Sequence, residues 1–168
     1  KRQPWDAFDV DIVIDSTGVY RKKEQLQLHL DSGARRVLVT KPPADEIDRI
    51  VIQGINHDKI NSKDQIISTT SSTTQVLALM LKVLDQNFGI ENAMMTNVHA
   101  YTSDQPLADS VRSDLRRSRS AVENIIPNET WAPDYVSQLL PKFKNKISGM
   151  AMNAVSYTHL RAHETSLH

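Results

Sequence analysis

Short apolar runs alternate with polar segments through the first 70 residues of the chain. Residues 9–15 form a run rich in β-branched side chains between turn-forming residues, which predicts a buried strand. Leucines recur among charged and amide side chains from residue 21 to residue 32, ahead of Gly33, as in a helix that ends at a glycine. Further strands are predicted at residues 37–40, 49–53 and 65–68. A strand, a helix and a second strand within about 35 residues indicate a parallel sheet covered by helices.

Residues 68–74 all carry hydroxyl groups, and the apolar stretch 76–84 follows them. Hydroxyl side chains ahead of a helix accept hydrogen bonds from its free backbone N–H groups, so this pattern predicts a helix that begins here and ends near Gly89. Later strands are predicted at residues 91–102 and 147–152. Residues 113–126 and 134–140 are predicted as loops or short helices.

Composition excludes several classes of function. The chain has 168 residues, and 20 Lys and Arg balance 20 Asp and Glu, so no general field attracts nucleic acid or an acidic membrane surface. No apolar run reaches the roughly 18 residues of a membrane span. Cysteine is absent, which removes disulfides, thiolate metal sites and a cysteine nucleophile. The five glycines include no pair two residues apart, so a G-x-G-x-x-G or Walker loop is absent from the sequence. We expect no nucleic acid, membrane or metal partner.

The sequence changes in character from about residue 154. Residues 154–168 hold three of the six histidines and have no clear period. They resemble the translated sequencing-adapter tail of some assembled metagenomic reading frames, so we expect a non-native segment there. The alternative is a helix over residues 158–167.

Three local constellations are candidates for chemistry. Residues 71–74 open the apolar helix and His99 lies on a later strand, and a helix N-terminus beside an imidazole can activate a nucleophile. The alternative is that residues 71–74 only cap the helix and His99 is a core residue. Residues 16–18 follow the first strand, where ligands bind in open α/β sheets, although a plain turn favours the same residue types. The arginines at 112, 116, 117 and 119 suit either a phosphate or a solvated basic face.

Motifs spread over roughly residues 1 to 153 occur in the order and spacing of one known family. They lie at residues 11–18, 29–34, 54–57, 67–74, 88–90, 98–102, 104–105, 115–119, 124–127 and 146–151. On these motifs the chain resembles glyceraldehyde-3-phosphate dehydrogenase. The resemblance implies an α/β fold in which residues 1–70 are the second half of a Rossmann NAD-binding domain. Residues 71–153 then begin an α+β catalytic domain, and the chain is expected to be an internal fragment of its parent.

The resemblance also assigns roles to individual residues. Thr17, Gly18 and Thr40 match positions that line the nicotinamide side of the pocket for NAD or NADP. His99 matches the histidine that acts as base and partner in the hydride step, and Ser72 occupies the position of the nucleophilic cysteine. Positions that hold oxygens of the aldehyde phosphate or of inorganic phosphate are matched by Ser71, Thr73, Thr102, Arg117 or Arg119, and Thr130. The parent is expected to be a cytoplasmic homotetramer.

Several residues depart from the family pattern. Serine at position 72 is a far weaker nucleophile than a thiolate, so we expect a loss of several orders of magnitude in rate, each tenfold being about 1.4 kcal/mol of barrier. Gln75 stands where the family has Asn. Trp131 replaces a glycine whose backbone helps to bind phosphate, and Asn153 replaces an arginine that grips the substrate phosphate.

Three functions remain open at this point. The chain is a fragment of a divergent phosphate-dependent aldehyde dehydrogenase that is inactive as it stands, or it comes from a non-catalytic cofactor-binding homologue with a regulatory or structural role. In the third, Ser72 and His99 act as a slow esterase-like pair. The third is the least favoured, because the sequence identifies no acid to orient His99.

Overall fold

The computed structural model describes residues 3–102 and 105–154, which form two compact units. The first unit contains the described residues of Lys1–Glu91 and Asp134–Lys144, and the second those of Asn92–Pro133 and Asn145–His168. The domain boundary predicted between residues 70 and 71 rests on the resemblance, in which a cofactor-binding domain is followed by a catalytic domain, and it stays a prediction. Of the predicted non-native tail, residue 154 is described and ends a strand, and residues 155–168 lie outside the described residues.

A parallel sheet forms the centre of the first unit. Its strands are β1 (Ile12–Asp15), β2 (Arg36–Val39), β3 (Arg49–Ile50) and β4 (Ile66–Ser68), arranged in the order β1-β2-β4-β3 with every pair parallel. Helix α1 (Lys23–Asp31) connects β1 to β2. The predicted α/β class with a parallel sheet is therefore confirmed.

The core of this unit follows from alternation along the strands. Val37 and Val39 point to the same side of β2 and are each 1% exposed. Leu26 of α1 is fully buried and packs with them and with Ile66 of β4. The helix ends as predicted, because Gly33 takes φ +111° and a Cβ there would lie 2.6 Å from the backbone nitrogen of Asp6.

Strand β3 is shorter than the predicted strand over residues 49–53, and the difference has a local cause. The side chain of Asn56 accepts a hydrogen bond from the Ile52 N–H at 2.9 Å and donates one to the Ile50 carbonyl at 2.8 Å. These bonds fold the chain back into a turn at Gly54, which has φ +82°. The prediction was wrong for the last residues of the run, where the amide side chain replaces sheet pairing.

Helix α2 (Ser72–Phe88) begins at the hydroxyl-rich segment and ends at Gly89, so it is longer than its apolar stretch. One of its faces buries Leu77, Ala78 and Leu81. Helix α3 (Ala132–Leu139) accounts for most of the segment 134–140. Within the first unit, the Tyr135 hydroxyl of α3 donates a hydrogen bond to the Pro43 carbonyl.

The second unit contains a mixed sheet of three strands among its described residues. Strands β5 (Ala93–Ala100) and β7 (Ile147–Ala154) are parallel, and β6 (Ile126–Asn128) pairs with β7 in the antiparallel sense. The predicted strands at 91–102 and 147–152 are thus confirmed. Strand β6 was not predicted, because its three residues include Pro127 and carry no alternating pattern.

No helix within residues 3–102 and 105–154 is long and apolar enough to cross a membrane.

The core packing of the first unit gives a stability prediction. Leu26→Ala removes a fully buried side chain and leaves a cavity, so the free energy of unfolding should fall by about 2–5 kcal/mol. Leu28→Ala on the same helix is the matched control, because Leu28 is 56% exposed and its truncation should cost less than about 0.5 kcal/mol. Urea denaturation of the two variants measures the difference, and equal losses would contradict this assignment of the core.

The ion pair between Arg49 and Asp64 gives a pH prediction. The Arg49 guanidinium donates to both carboxylate oxygens at 3.0 and 3.1 Å, which lowers the pKa of Asp64 although burial opposes the shift. Because the carboxyl pKa is lower in the folded state, the unfolded state binds more protons, and this stabilisation is lost as pH falls through the acid range. Asp64→Asn removes this titrating group. Below about pH 4 the slope of the unfolding free energy against pH should therefore be smaller, by an amount that corresponds to at most one proton. An unchanged slope in acid denaturation would contradict the prediction.

Candidate functional site

The carboxyl ends of the parallel strands bring four predicted site residues of the first unit to one edge of its sheet. Thr17 and Gly18 follow β1, Thr40 follows β2, and Ser72 comes four residues after the end of β4. Strands β1, β2 and β4 are adjacent and parallel, so the segments that follow them are neighbours. In open α/β sheets this edge is where ligands bind.

Asp15, the last residue of β1, accepts hydrogen bonds from the turns that follow β1 and β2. Asp15 is only 3% exposed. Its carboxylate oxygen Oδ1 accepts hydrogen bonds from the backbone N–H of Thr17 at 2.9 Å and from the Thr17 hydroxyl at 2.7 Å. Its carbonyl accepts a bond from the Thr40 N–H at 3.1 Å. One buried residue therefore fixes both predicted nicotinamide-side segments.

A histidine completes the surroundings of Asp15. His29 of α1 is buried, its Nε2 lies 3.4 Å from Asp15 Oδ2, and its Nδ1 accepts a hydrogen bond from the Trp5 indole N–H at 3.1 Å. Because the indole can only donate, Nδ1 carries no proton in this arrangement and Nε2–H points to the carboxylate. The edge of Tyr20 also packs on the imidazole ring.

Lys41 links the two turns to the end of β4. A Cβ added to Gly18 would lie 3.6 Å from Lys41 Cε, so the turn at Gly18 passes close to the lysine stem. The Lys41 carbonyl accepts a hydrogen bond from the Ser68 hydroxyl at 2.8 Å. The Thr69 N–H donates to the Val39 carbonyl at 3.1 Å, which continues the pairing of β2 and β4 beyond the strands. The edge is thus cross-linked from β1 to the beginning of α2.

Ser71 and Ser72 occupy the first positions of α2. The Ser71 hydroxyl accepts a hydrogen bond from the Thr74 N–H at 3.1 Å, so this part of the capping alternative is confirmed. Ser72 is the first helical residue and is exposed, and Thr73 is half-buried beside it. A side chain at this position meets the positive end of the helix dipole, which stabilises negative charge on its terminal atom.

The second unit holds His99 and Thr102 near the end of β5. His99 is exposed and pairs in register with Asn153 of β7, so it is not the core residue of the alternative interpretation. Gln105 is buried, and its side-chain oxygen Oε1 accepts hydrogen bonds from the Thr102 N–H at 3.1 Å and from the Asn153 side-chain amide at 3.0 Å. The Asn153 side-chain oxygen in turn accepts a bond from the Asn128 amide at 3.0 Å.

The remaining predicted phosphate ligands lie elsewhere in the second unit. Arg119 is exposed and pairs with Asp109 at 3.0 Å, whereas Arg117 is half-buried. The Thr130 hydroxyl accepts a bond from the Ala132 N–H at 3.4 Å, and Trp131 beside it is 61% exposed. His99 is level with Asn153 of β7, which also pairs with Ile126 at the start of β6. Because β6 runs antiparallel to β7, Thr130 lies beyond the other end of the β6–β7 pairing, past Asn128.

The predicted site residues therefore fall into two groups. Thr17, Gly18, Thr40 and residues 71–73 share an edge of the first unit, and His99, Thr102, Arg117, Arg119 and Thr130 belong to the second unit. The assignment of each residue to substrate, phosphate or cofactor stays a prediction, as does the pairing of Ser72 with His99. Among residues 3–102 and 105–154, no cluster of three or more His, Asp or Glu side chains is placed to hold a metal ion.

Sequence reasoning missed the residues that support these groups. Asp15, His29 and Trp5 are separated by 14 and 24 positions, so no local pattern connects them. A buried acidic residue directly before Ser-Thr-Gly was the one available signal, since a carboxylate in that place can accept from the following turn. Gln105 and Asn128 carry no comparable signal.

The role of Asp15 is testable at the turn that it holds. Asp15→Ala removes the carboxylate oxygen that accepts both Thr17 hydrogen bonds, and because bonds to a charged acceptor are strong, exchange of the Thr17 amide hydrogen should accelerate about tenfold or more. Asp58→Ala is the control, since Asp58 is exposed and remote in sequence from β1. Amide exchange followed by nuclear magnetic resonance makes the measurement, and unchanged Thr17 protection in a folded Asp15→Ala variant would contradict the assignment.

Comparison with known proteins identifies the family. Residues 71–167 match the family model described as glyceraldehyde 3-phosphate dehydrogenase, C-terminal domain. The chain is 46% identical over 150 residues to "Glyceraldehyde-3-phosphate dehydrogenase 2" of Streptomyces avermitilis, covering 89% of the chain and 44% of the relative. Identity is 47% over 150 residues with "Glyceraldehyde-3-phosphate dehydrogenase" of Streptomyces coelicolor, with the same coverage of 89% and 44%. It is 42% over 153 residues with "Glyceraldehyde-3-phosphate dehydrogenase 2" of Bacillus subtilis, covering 90% and 45%.

These alignments span less than half the length of the curated relatives. They extend over most of the chain. The chain belongs to the glyceraldehyde-3-phosphate dehydrogenase family.

Proposed function

We propose that the parent of this chain derives from a phosphorylating aldehyde dehydrogenase, which oxidises an aldehyde phosphate with NAD or NADP and inorganic phosphate. The observation that carries the proposal is the common sheet edge of Thr17, Gly18, Thr40 and Ser72. The positions assigned to the cofactor follow β1 and β2, and the position assigned to the nucleophile follows β4, the next strand in the sheet. A reaction in which a substrate held at residue 72 passes a hydride to the cofactor requires such neighbouring positions.

The residues at this edge fit the nicotinamide end of such a cofactor. Thr17 and Thr40 are exposed and present hydroxyl groups, and Gly18 takes φ +71° without a side chain to fill the turn. The bonds that Thr17 donates to Asp15 hold this turn in one geometry, so binding of a cofactor there requires little further ordering of the turn. When bound, NAD or NADP supplies the acceptor for a hydride. The Rossmann assignment of residues 1–70 rests on the parallel sheet and on the resemblance.

Residue 72 determines the chemistry that this edge supports. A cysteine there would have its thiolate stabilised by the N-terminus of α2, whereas a serine hydroxyl stays protonated near neutral pH and attacks a carbonyl poorly. In the family mechanism the thiolate attacks the aldehyde, the bound cofactor would supply the acceptor for the hydride that leaves, and phosphate would then release the acyl group from sulfur as an acyl phosphate. With Ser72 in place, this chain is proposed to be inactive in that reaction.

The second unit contributes the proposed base and phosphate ligands. His99 is exposed on β5, where it can exchange a proton with a substrate, and Thr102 is held by Gln105 directly after the strand. The proposed donors to phosphate oxygens are Ser71 and Thr73 of the first unit and Thr102, Thr130 and Arg117 or Arg119 of the second unit. The proposal includes a cytoplasmic homotetramer for the parent, by analogy with the family.

A second candidate function follows from the absence of a thiol. The chain has no cysteine, yet the edge that carries Thr17 and Thr40 is cross-linked by Asp15. A homologue that binds the cofactor in a regulatory or structural role without catalysis would keep that edge and tolerate a serine at position 72.

Replacement of the serine in the full-length parent separates the two functions. Ser72→Cys should raise the rate of NAD reduction with an aldehyde phosphate and inorganic phosphate by about a thousandfold or more, because it restores the thiolate. Ser72→Ala is the matched control and should stay at the rate of the parent.

Failure of Ser72→Cys to raise the rate would overturn the phosphorylating function. Retained NAD binding in that inactive variant, measured by calorimetry, would then support the non-catalytic homologue. Loss of both activity and binding would contradict both candidates.

A further inference from the structure

Lys41 brings a positive charge to the edge of the sheet that carries Thr17, Gly18 and Thr40. It follows Thr40 after the end of β2 and is exposed. A Cβ added to Gly18 would lie 3.6 Å from Lys41 Cε and 4.0 Å from Lys41 Cγ, so the lysine stem runs across the turn at Gly18. The ammonium nitrogen is bonded to Cε at about 1.5 Å and therefore lies within about 5 Å of that Cβ position. The roles proposed above for this edge use no side-chain group of Lys41.

The backbone of Lys41 is fixed from two sides. Its carbonyl accepts the hydrogen bond from the hydroxyl of Ser68, the last residue of β4, at 2.8 Å. Pro42 follows Lys41, and a proline restricts the residue before it to extended conformations. The Pro42 carbonyl accepts a further hydrogen bond from Arg21 Nε at 3.0 Å. The lysine stem therefore starts from a fixed point after β2 and next to the end of β4.

The glycine at position 18 leaves the room that the lysine stem occupies. Gly18 takes φ +71°, a conformation that favours glycine. Apart from its chain neighbours, the described atoms within 4 Å of its missing Cβ are the two stem carbons of Lys41. Gly18 and Lys41 therefore share one surface on the side proposed for the nicotinamide.

No ion pair within residues 3–102 and 105–154 neutralises this ammonium, whereas the ammonium of Lys23 pairs with Asp48 at 2.8 Å. The acidic residue of the same edge, Asp15, is buried, and its carboxylate accepts hydrogen bonds from Thr17. An exposed cation without a carboxylate partner therefore stands beside the turn proposed to hold the nicotinamide.

Reduction by a hydride changes the charge of a nicotinamide ring. The oxidised ring carries one positive charge, and the electron pair of the hydride cancels it, so that the reduced ring is neutral. A nearby cation repels the oxidised ring and has little effect on the neutral one. An ammonium beside the ring should therefore weaken binding of the oxidised cofactor relative to the reduced one.

We propose that Lys41 is a cofactor-binding residue whose charge sets the preference of this edge for the reduced over the oxidised nicotinamide. The inference rests on the proposed function, which puts the nicotinamide end of NAD or NADP at Thr17, Gly18 and Thr40. Its consequence is a bias of the bound reactants toward oxidation of the aldehyde, because hydride transfer removes the charge that Lys41 repels. The overall equilibrium in solution is unchanged by this bias.

Binding of the two cofactor forms measures the effect without enzymatic activity. Calorimetric titration of the full-length parent with NAD and with NADH gives the ratio of their dissociation constants, and NADP and NADPH serve in the same way for a parent that binds those forms. Lys41→Met keeps the length of the stem and removes the charge. The dissociation constant of the oxidised form, divided by that of the reduced form, should therefore fall about three- to tenfold.

Lys63→Met is the matched control. Lys63 is exposed and precedes β4, and it lines a groove with Ile12 and Arg36, which begin β1 and β2. It therefore lies at the opposite end of the strands from Lys41. The same loss of charge there should leave the ratio of the parent unchanged.

Two further measurements distinguish charge from shape. Lys41→Arg keeps the positive charge, so it should keep the ratio of the parent. Raising the ionic strength from about 0.05 M to about 0.5 M screens the ammonium, so the ratio of the parent should approach that of Lys41→Met. Thermal melting monitored by circular dichroism checks that each variant is folded, and Lys41→Gln replaces Lys41→Met if the latter does not fold.

The outcomes separate the inference from the proposed function. A parent that binds neither cofactor form would contradict the cofactor site and the inference with it. Binding of both forms with the same ratio in the parent and in Lys41→Met would overturn the inference alone. An equal fall of the ratio in Lys41→Arg, or in Lys63→Met, would mean that the local charge of Lys41 is not the cause, and it would also overturn the inference.

Discussion

The organisation of the site in the first unit depends on Asp15, a buried carboxylate at the end of a parallel strand. Burial of a charge is unfavourable unless hydrogen bonds compensate it, and here Thr17 and His29 supply them. The same residue accepts the Thr40 N–H through its carbonyl, so the turns after β1 and β2 are fixed from one point. Without the carboxylate the sheet would still form and the bond from the Thr40 N–H to the Asp15 backbone carbonyl would remain, but the turn at Thr17 would lose the acceptor of two hydrogen bonds.

His29 and Trp5 extend this constraint into the body of the unit. The indole donates to one ring nitrogen and the carboxylate faces the other, so the imidazole has one orientation and one tautomer. The edge of the sheet that carries Thr17 and Thr40 is therefore connected to α1 and to residues before β1. Such support at a distance is typical of sites whose binding groups must be placed within fractions of an ångström.

Much of the fold of the first unit follows from local patterns, and much of the site does not. The β-branched runs and the leucine-rich helix predict β1, α1 and β2, because burial of alternate or helically spaced apolar residues decides those elements. The predicted strand at 49–53 was too long, since the Asn56 side chain competes for the backbone groups of Ile50 and Ile52. Motif resemblance proposed Thr17, Thr40 and Ser72 as site residues. Asp15 lies two residues before Thr17, so that contact is local, whereas His29 and Trp5, which support Asp15, are distant in sequence and were not predictable from spacing.

The cross-links at this edge explain why a serine at position 72 is compatible with the fold. Ser72 is exposed at the first position of α2, a place that a serine occupies without cost to the helix, and no core packing depends on it. The left-handed Thr70 and the cap at Ser71 are held by Ser68, Gln75 and Thr74, none of which bonds to residue 72. Under the proposed function, the exchange of sulfur for oxygen at position 72 acts on the reactivity of one atom, while the turn before this residue is maintained by its neighbours. A left-handed residue held by hydrogen bonds beside an exposed hydroxyl is the arrangement that this proposal requires, because the scaffold then stays unchanged when the reacting atom differs.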